Sequence, residues 1–302
     1  MSAGPGAAAA AAAEAAAAEA AEGRLPARVG VYGGGRMGAG IAHAFVSAGS
    51  QVVVVEGSAQ AADAAAERIA GSLAKGADRG TLGVDAEAAR AAYRTTTDPA
   101  DLADVTLVVE AVPEDVELKR QVFAAVEQAA PDAALATNTS SLSIDSIADG
   151  LSRPERLVGL HFFNPVPVSD LVEVVVGRRT DPGLVDEARA WVAALGKTGI
   201  TVQDAPGFAS SRLGVAIALE AMRMVQEGVA SAEDIDTAMT LGYRHPVGPL
   251  RTTDIVGLDV RLAIAEHLAR ELGPRFEPPQ LLRDKVAAGE LGRKTGRGFY
   301  DW

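Results

Sequence analysis

Cysteine is absent from the 302 residues, which removes disulfides, thiolate nucleophiles and cysteine-held zinc or iron–sulfur centres together. No metal site is expected. Basic side chains are the minority, with 28 Lys and Arg against 40 Asp and Glu, a net charge of −12. A nucleic-acid binder usually presents a basic face, so this balance argues against such a partner. Anionic small ligands stay open, because backbone N–H groups and a few local cations can hold them. No apolar run reaches the ~18 residues of a membrane span, so no membrane partner is expected. What remains is globular composition, 48% hydrophobic and 23% charged, with room for one large or two ordinary domains.

Residues 1–27 form an Ala-rich tail broken by Glu14, Glu19 and Glu22. The tail has neither the basic start and apolar centre of a secretory signal nor the arginines of an organelle presequence. It reads as a mobile tail on a cytoplasmic protein. From there, short apolar runs alternate with longer helical patterns. Strands are expected at 28–33, 51–56, 105–111, 133–138, 157–163, 171–176 and 200–204. Helices are expected at 36–48, 59–75, 86–93, 117–129 and 184–196. Runs such as QVVVVE and VTLVVEAV are apolar throughout, as strands covered on both faces should be. The alternation implies a parallel sheet. Beyond residue 205 only helices are suggested, near 208–227, 232–241, 253–272 and 279–288. The expected fold is therefore an α/β Rossmann-type doubly wound sheet over 28–205. A smaller all-α domain over 206–302 follows it.

Residues 29–40 read VGVYGGGRMGAG, directly after a strand and opening a helix. Gly33 suits a tight turn, Gly35 a close approach of backbone to a pyrophosphate, and Gly38 close packing of helix on strand. The second strand ends in Glu56, eighteen residues past Gly38. A carboxylate there accepts hydrogen bonds from both ribose hydroxyls and repels a 2′-phosphate, which selects NAD over NADP. Arg36 and Met37, inside the same turn, join the expected cofactor set.

Of the four histidines, His43 and His267 fall within helical patterns and read as surface or satisfied core residues. His245 lies in a Pro- and Gly-rich turn. His161 closes the strand LVGLHFF, and Glu173 interrupts the next apolar strand, DLVEVVV. A buried carboxylate needs a partner, and a strand-end histidine suits it. Such a pair can serve as base and orienter, or as a structural hydrogen bond alone.

The ordered blocks GGGRMGAG, VVEAVPED, ATNTSSLSI, HFFNPVPV, LVEVV, DAPGF, EGVASAEDIDTAM, HPVGPL and LGRKTGRGFYDW resemble the L-3-hydroxyacyl-CoA dehydrogenases, particularly the short monofunctional bacterial 3-hydroxybutyryl-CoA type. The resemblance runs from about Val29 to Tyr300. It implies an NAD-dependent oxidation of the 3-hydroxyl of an acyl-CoA, in fatty-acid metabolism, by a homodimer. By position, His161 matches the general base and Glu173 its orienting acid. Ser140 matches the serine near the substrate oxygen and the nicotinamide. Asn164, Lys294, Glu114 and Lys119 match cofactor neighbours, while Ser72 and Arg79 match positions touching CoA. Arg79 replaces a usual Lys and keeps its charge.

Ser211 stands where the family usually has an active-site Asn, and it offers less reach and fewer hydrogen bonds. That departure keeps a second reading open: the same chemistry on a hydroxyacyl group carried by an acyl-carrier protein or an unusual CoA ester. A catalytically idle NAD-binding protein is the third reading, against which His161, Glu173 and Ser140 stand together. Blander roles also apply to single residues. Ser140 and Ser141 could cap a helix at 143–149, and Lys119 and Arg79 could be solvated helix charges.

Overall fold

The computed structural model describes residues 25–302, so the tail expected at 1–27 falls outside the described residues over 1–24. The chain divides into two compact units between Asp204 and Ala205.

The first unit opens with β1 (Arg28–Tyr32), α1 (Arg36–Ser47), β2 (Gln51–Val55) and α2 (Ala59–Asp78). It continues through α3 (Ala86–Ala91), β3 (Tyr93–Thr96), β4 (Leu107–Glu110), α4 (Val116–Ala129), β5 (Ala134–Thr137) and α5 (Ile144–Ala148). The remaining elements are β6 (Leu157–Phe162), β7 (Leu171–Val176), α6 (Pro182–Ala194) and β8 (Thr198–Gln203). The sheet order is β3-β2-β1-β4-β5-β6-β7-β8. Chain order reverses between β1 and β4, and ligands bind outside the strand ends at such a switch point. Caps set several helix starts: Ser58 Oγ accepts from Ala61 N, and Asp115 Oδ1 accepts from Leu118 N.

Two expectations change here. The helical pattern at 86–93 ends at Ala91, and Tyr93–Thr96 forms the edge strand β3. YRTT offers a single large apolar side chain, so hydrophobic periodicity gives it no strand signal. The sheet is also not parallel throughout, because β7 runs antiparallel to β6 and parallel to β8. Only residues 163–170 separate β6 from β7, too few for the helical crossover that a parallel pair needs.

The second unit holds α7 (Ser210–Gln226), α8 (Ala232–Thr237), α9 (Pro249–Val256), α10 (Leu258–Leu272) and α11 (Gln280–Ala287). The single helix expected at 253–272 is two helices meeting at Gly257, whose φ of 108° only glycine adopts readily. Buried carboxylates tie this unit together. Asp254 accepts from Phe299 N, Tyr300 N and Trp302 Nε1, which anchors the last residues. Asp236 accepts from Leu250 N, Arg251 N and the Tyr300 hydroxyl.

The first unit carries an ion pair in its core. Glu110, at the end of β4, has no exposed side-chain surface, and Lys119 of α4 has 1%. Lys119 Nζ donates to Glu110 Oε1 at 2.7 Å, and Thr137 Oγ1 of β5 donates to Glu110 Oε2 at 2.6 Å. Burial pushes the Glu110 carboxyl up, against the pull of Lys119 and Thr137. Lys119 is therefore not a solvated helix charge. Removing one member of such a pair strands the other, so Lys119→Met is expected to cost about 3–5 kcal/mol of stability. Urea denaturation checks this: the unfolding midpoint should fall, and adding Glu110→Gln should recover part of the loss. An unchanged midpoint would contradict the role given to the pair.

Candidate active site

In the turn between β1 and α1 and the first turn of α1 there is no room for a side chain at Gly33, Gly34 or Gly38. Gly33 has a φ of 94°, and a Cβ there would lie 2.9 Å from Ala111 O. A Cβ on Gly38 would lie 1.7 Å from Gly33 O, an impossible contact. At Gly35, by contrast, a Cβ would meet nothing within 4 Å, so the backbone there faces open space. Glu56 follows β2 and reaches this turn, where its Oε1 accepts from Gly34 N at 2.6 Å. Backbone N–H groups at the start of α1, open space at Gly35 and a carboxylate alongside suit the pyrophosphate and ribose of a dinucleotide. Arg36 and Met37 begin α1 at that end.

A second cluster lies beyond β4 and β5. Glu114 Oε1 accepts from Thr139 Oγ1 at 2.7 Å, Ser140 N at 2.9 Å and Ser141 N at 3.0 Å. The Ser140 hydroxyl lies 3.2 Å from the same oxygen. Burial works to raise the Glu114 carboxyl, but Lys119, Thr139 and the two serines outweigh it and hold the group below its ordinary range. Glu114 thus stays ionised and ties the loop after β4 to the loop that carries Ser140. Ser140 and Ser141 do not cap α5; Ser143 does, accepting from Ser146 N. Lys119 is turned inward, 3.5 Å from Glu114 and 2.7 Å from Glu110.

His161 and Glu173 face each other across the β6–β7 pair, where they are register partners. His161 Nδ1 lies 2.7 Å from Glu173 Oε2; the imidazole is almost wholly buried and the carboxylate completely so. A carboxylate on Nδ1 fixes the tautomer that leaves Nε2 as the proton acceptor. The Phe163 ring packs against the imidazole with centroids 4.5 Å apart. Asn138 Oδ1 accepts from Phe162 N at 2.9 Å, which joins the loop after β5 to the end of β6.

Ser72, Arg79 and Asn164 come together around a cleft of about 690 Å³ between α1, α2 and the segment 164–168. Arg36, Arg68 and Lys75 also line it, against Glu67 as the acidic member. In a chain of net charge −12, that basic concentration favours an anionic occupant. Beside this cleft stand His43, expected as a surface or satisfied core residue and found buried, and Lys197, which the sequence did not single out. His43 Nδ1 lies 2.9 Å from Ser72 Oγ, and Lys197 Nζ donates to the carbonyls of Val166 and Ser169 at 2.7 Å each. The signal for His43 was a polar residue within the apolar pattern of α1. In the second unit, Ser211 stands in the first turn of α7, and Lys294 pairs with Asp259 at 2.6 Å. Among the described residues no group of His, Cys, Asp and Glu is arranged to hold a metal ion.

Residues 28–205 match the family model for the NAD binding domain of 3-hydroxyacyl-CoA dehydrogenase, and residues 207–302 match that for its C-terminal domain. A 3-hydroxybutyryl-CoA dehydrogenase of Mycobacterium tuberculosis is 43% identical over 281 residues, covering 91% of this chain and 98% of that protein. The human mitochondrial hydroxyacyl-coenzyme A dehydrogenase is 40% identical over 288 residues, with 91% and 90% covered. The crystal structure of an (S)-3-hydroxybutyryl-CoA dehydrogenase from Ralstonia eutropha superposes with a TM-score of 0.87 at 40% identity, covering 92% of this chain and 99% of that one. With both domain models met in order over nearly all the described residues, the chain belongs to the 3-hydroxyacyl-CoA dehydrogenase family.

Proposed function

We propose that the chain oxidises the 3-hydroxyl of a short acyl-CoA to the ketone, and reduces the ketone in reverse, with NAD as cofactor. The observation that carries this reading is the buried His161–Glu173 pair at the end of β6. NAD, when bound, supplies the hydride acceptor for the hydrogen on C3. His161 takes the hydroxyl proton at Nε2, and returns it to the ketone oxygen in the reverse direction. Glu173 holds the imidazole and stabilises the imidazolium that forms. Ser140 donates to the substrate oxygen, and Glu114 holds the loop that presents it. The glycine turn with Arg36 and Met37 takes the cofactor's phosphates, and Glu56 its adenosine ribose. Asn164 and Lys294 act toward the cofactor, and Lys119 acts through Glu114. Ser72 and Arg79 hold the phosphorylated end of CoA in the basic cleft. Ser211 fills the place of the family's Asn through its hydroxyl, aided by a bridging water.

The second unit exposes Leu213, Ile217, Val256 and Val260 on α7, α9 and α10. Apolar residues concentrated on one unit favour a homodimer formed through it. Zero cysteine suits a cytoplasmic enzyme, and we place the reaction in fatty-acid β-oxidation. Ser211 favours the second reading, a related ester or carrier-bound acyl group, as the alternative substrate.

Acetoacetyl-CoA should drive NADH oxidation by the purified protein, followed by nicotinamide absorbance. His161→Ala should lower kcat by about two to four orders of magnitude, with NADH affinity almost unchanged. Near-normal turnover in that variant would assign the base elsewhere. An inactive wild type that still binds NADH would move the substrate to the alternative ester.

Cofactor choice gives a further outcome. Glu56 should favour NADH over NADPH by about 2–3 kcal/mol in kcat/KM, the size of charged hydrogen bonds. Glu56→Ser should narrow the ratio; equal constants for the two cofactors in the wild type would remove Glu56 from the ribose.

A further inference from the structure

We infer that His43 is a positioning residue for the acyl-CoA: its Nδ1–H donates to Ser72 Oγ and turns the Ser72 hydroxyl proton toward an anionic oxygen of the bound CoA. This rests on the proposed assignment of the basic cleft to CoA. His43 and Ser72 both line that cleft, from α1 and α2, with 2.9 Å between Nδ1 and Oγ. The direction of the hydrogen bond decides what Ser72 can do. A hydroxyl has one proton, and a phosphate oxygen only accepts. Were that proton given to His43, Ser72 would offer the ligand only lone pairs, and an anion would be repelled.

The surroundings of His43 fit a neutral donor held in place. Burial, reinforced by the Lys197 charge, holds its pKa below the ordinary value, so the imidazole carries a single N–H. Gly76 of α2 lies over the ring: a Cβ there would sit 3.1 Å from His43 Cε1, closer than it could be accommodated without displacement. Lys197 is itself fixed by the carbonyls of Val166 and Ser169 in the segment that walls the cleft. The imidazole thus spans two helices, and its one exchangeable choice is which nitrogen carries the proton.

Four variants and one spectrum test this. His43→Leu should raise KM for acetoacetyl-CoA about tenfold, the worth of one hydrogen bond to an anion-binding group. Its kcat, and its KM for acetoacetyl-pantetheine, which lacks the phosphates, should stay within about twofold by the same reasoning. His43→Asn keeps an N–H donor at the δ position and should hold the acetoacetyl-CoA KM within about threefold of wild type. Ser72→Ala should match His43→Leu, and the double variant should be no worse than Ser72→Ala alone. The ¹⁵N resonances of His43 in the CoA complex, read without any substitution at that position, should show Nδ1 protonated and Nε2 bare. A bare Nδ1, additive single variants, or an Asn variant as impaired as Leu would each overturn the positioning role. No KM change in Ser72→Ala would instead overturn the CoA assignment of the cleft, and this inference with it.

Discussion

Glu173 is a carboxylate with no exposed surface on a strand otherwise made of valine and leucine, and everything at the site depends on what meets it. An unpaired charge there would cost several kcal/mol, so the strand is stable only when a donor is delivered to that register position. The donor is His161, placed opposite by the antiparallel pairing of β6 with β7. As register partners, the two residues present their side chains on the same face of the sheet. The short segment 163–170 that forces the reversal is therefore as much a part of the site as the histidine. It also walls the basic cleft.

The second dependence runs through the core. Glu110, Lys119 and Thr137 lock β4, α4 and β5 together beneath the site, and Lys119 extends that lock to Glu114. Glu114 then gathers the backbone of Ser140 and Ser141. A charge held for stability thus fixes the position of a side chain proposed to touch substrate. The two loops it joins follow neighbouring strands at the switch-point end of the sheet, where a dinucleotide of this fold lies.

The dinucleotide turn was legible because its demands are largely local: Gly33 takes a positive φ, Gly38 is dictated by the Gly33 carbonyl five residues before it, and β1 and β2 are apolar runs with one reading. The His161–Glu173 contact was legible because a lone acid within an apolar strand asks for a partner. Other features depend on partners distant in sequence. β3 forms only because β2 offers an edge, and the direction of β7 follows from loop length, not from its own residues. Lys119 reads as a helix charge until α4 is laid on β4. His43 and Ser72 each look like isolated polar residues until α1 and α2 pack. The break at Gly257 lies inside a pattern that continues apolar across it, and only the positive φ reveals it.

The central claim is that the buried Glu173 carboxylate makes His161 an effective base. Single-turnover reduction of acetoacetyl-CoA by NADH deuterated at the transferred C4 position tests it most directly, in wild type and Glu173→Gln. The hydride-transfer rate should be lower by at least about tenfold in the variant, a part of the general acid–base contribution of about two to four orders of magnitude. NADH affinity should be preserved, and a primary isotope effect expressed. An unchanged single-turnover rate, with the isotope effect intact, would contradict it.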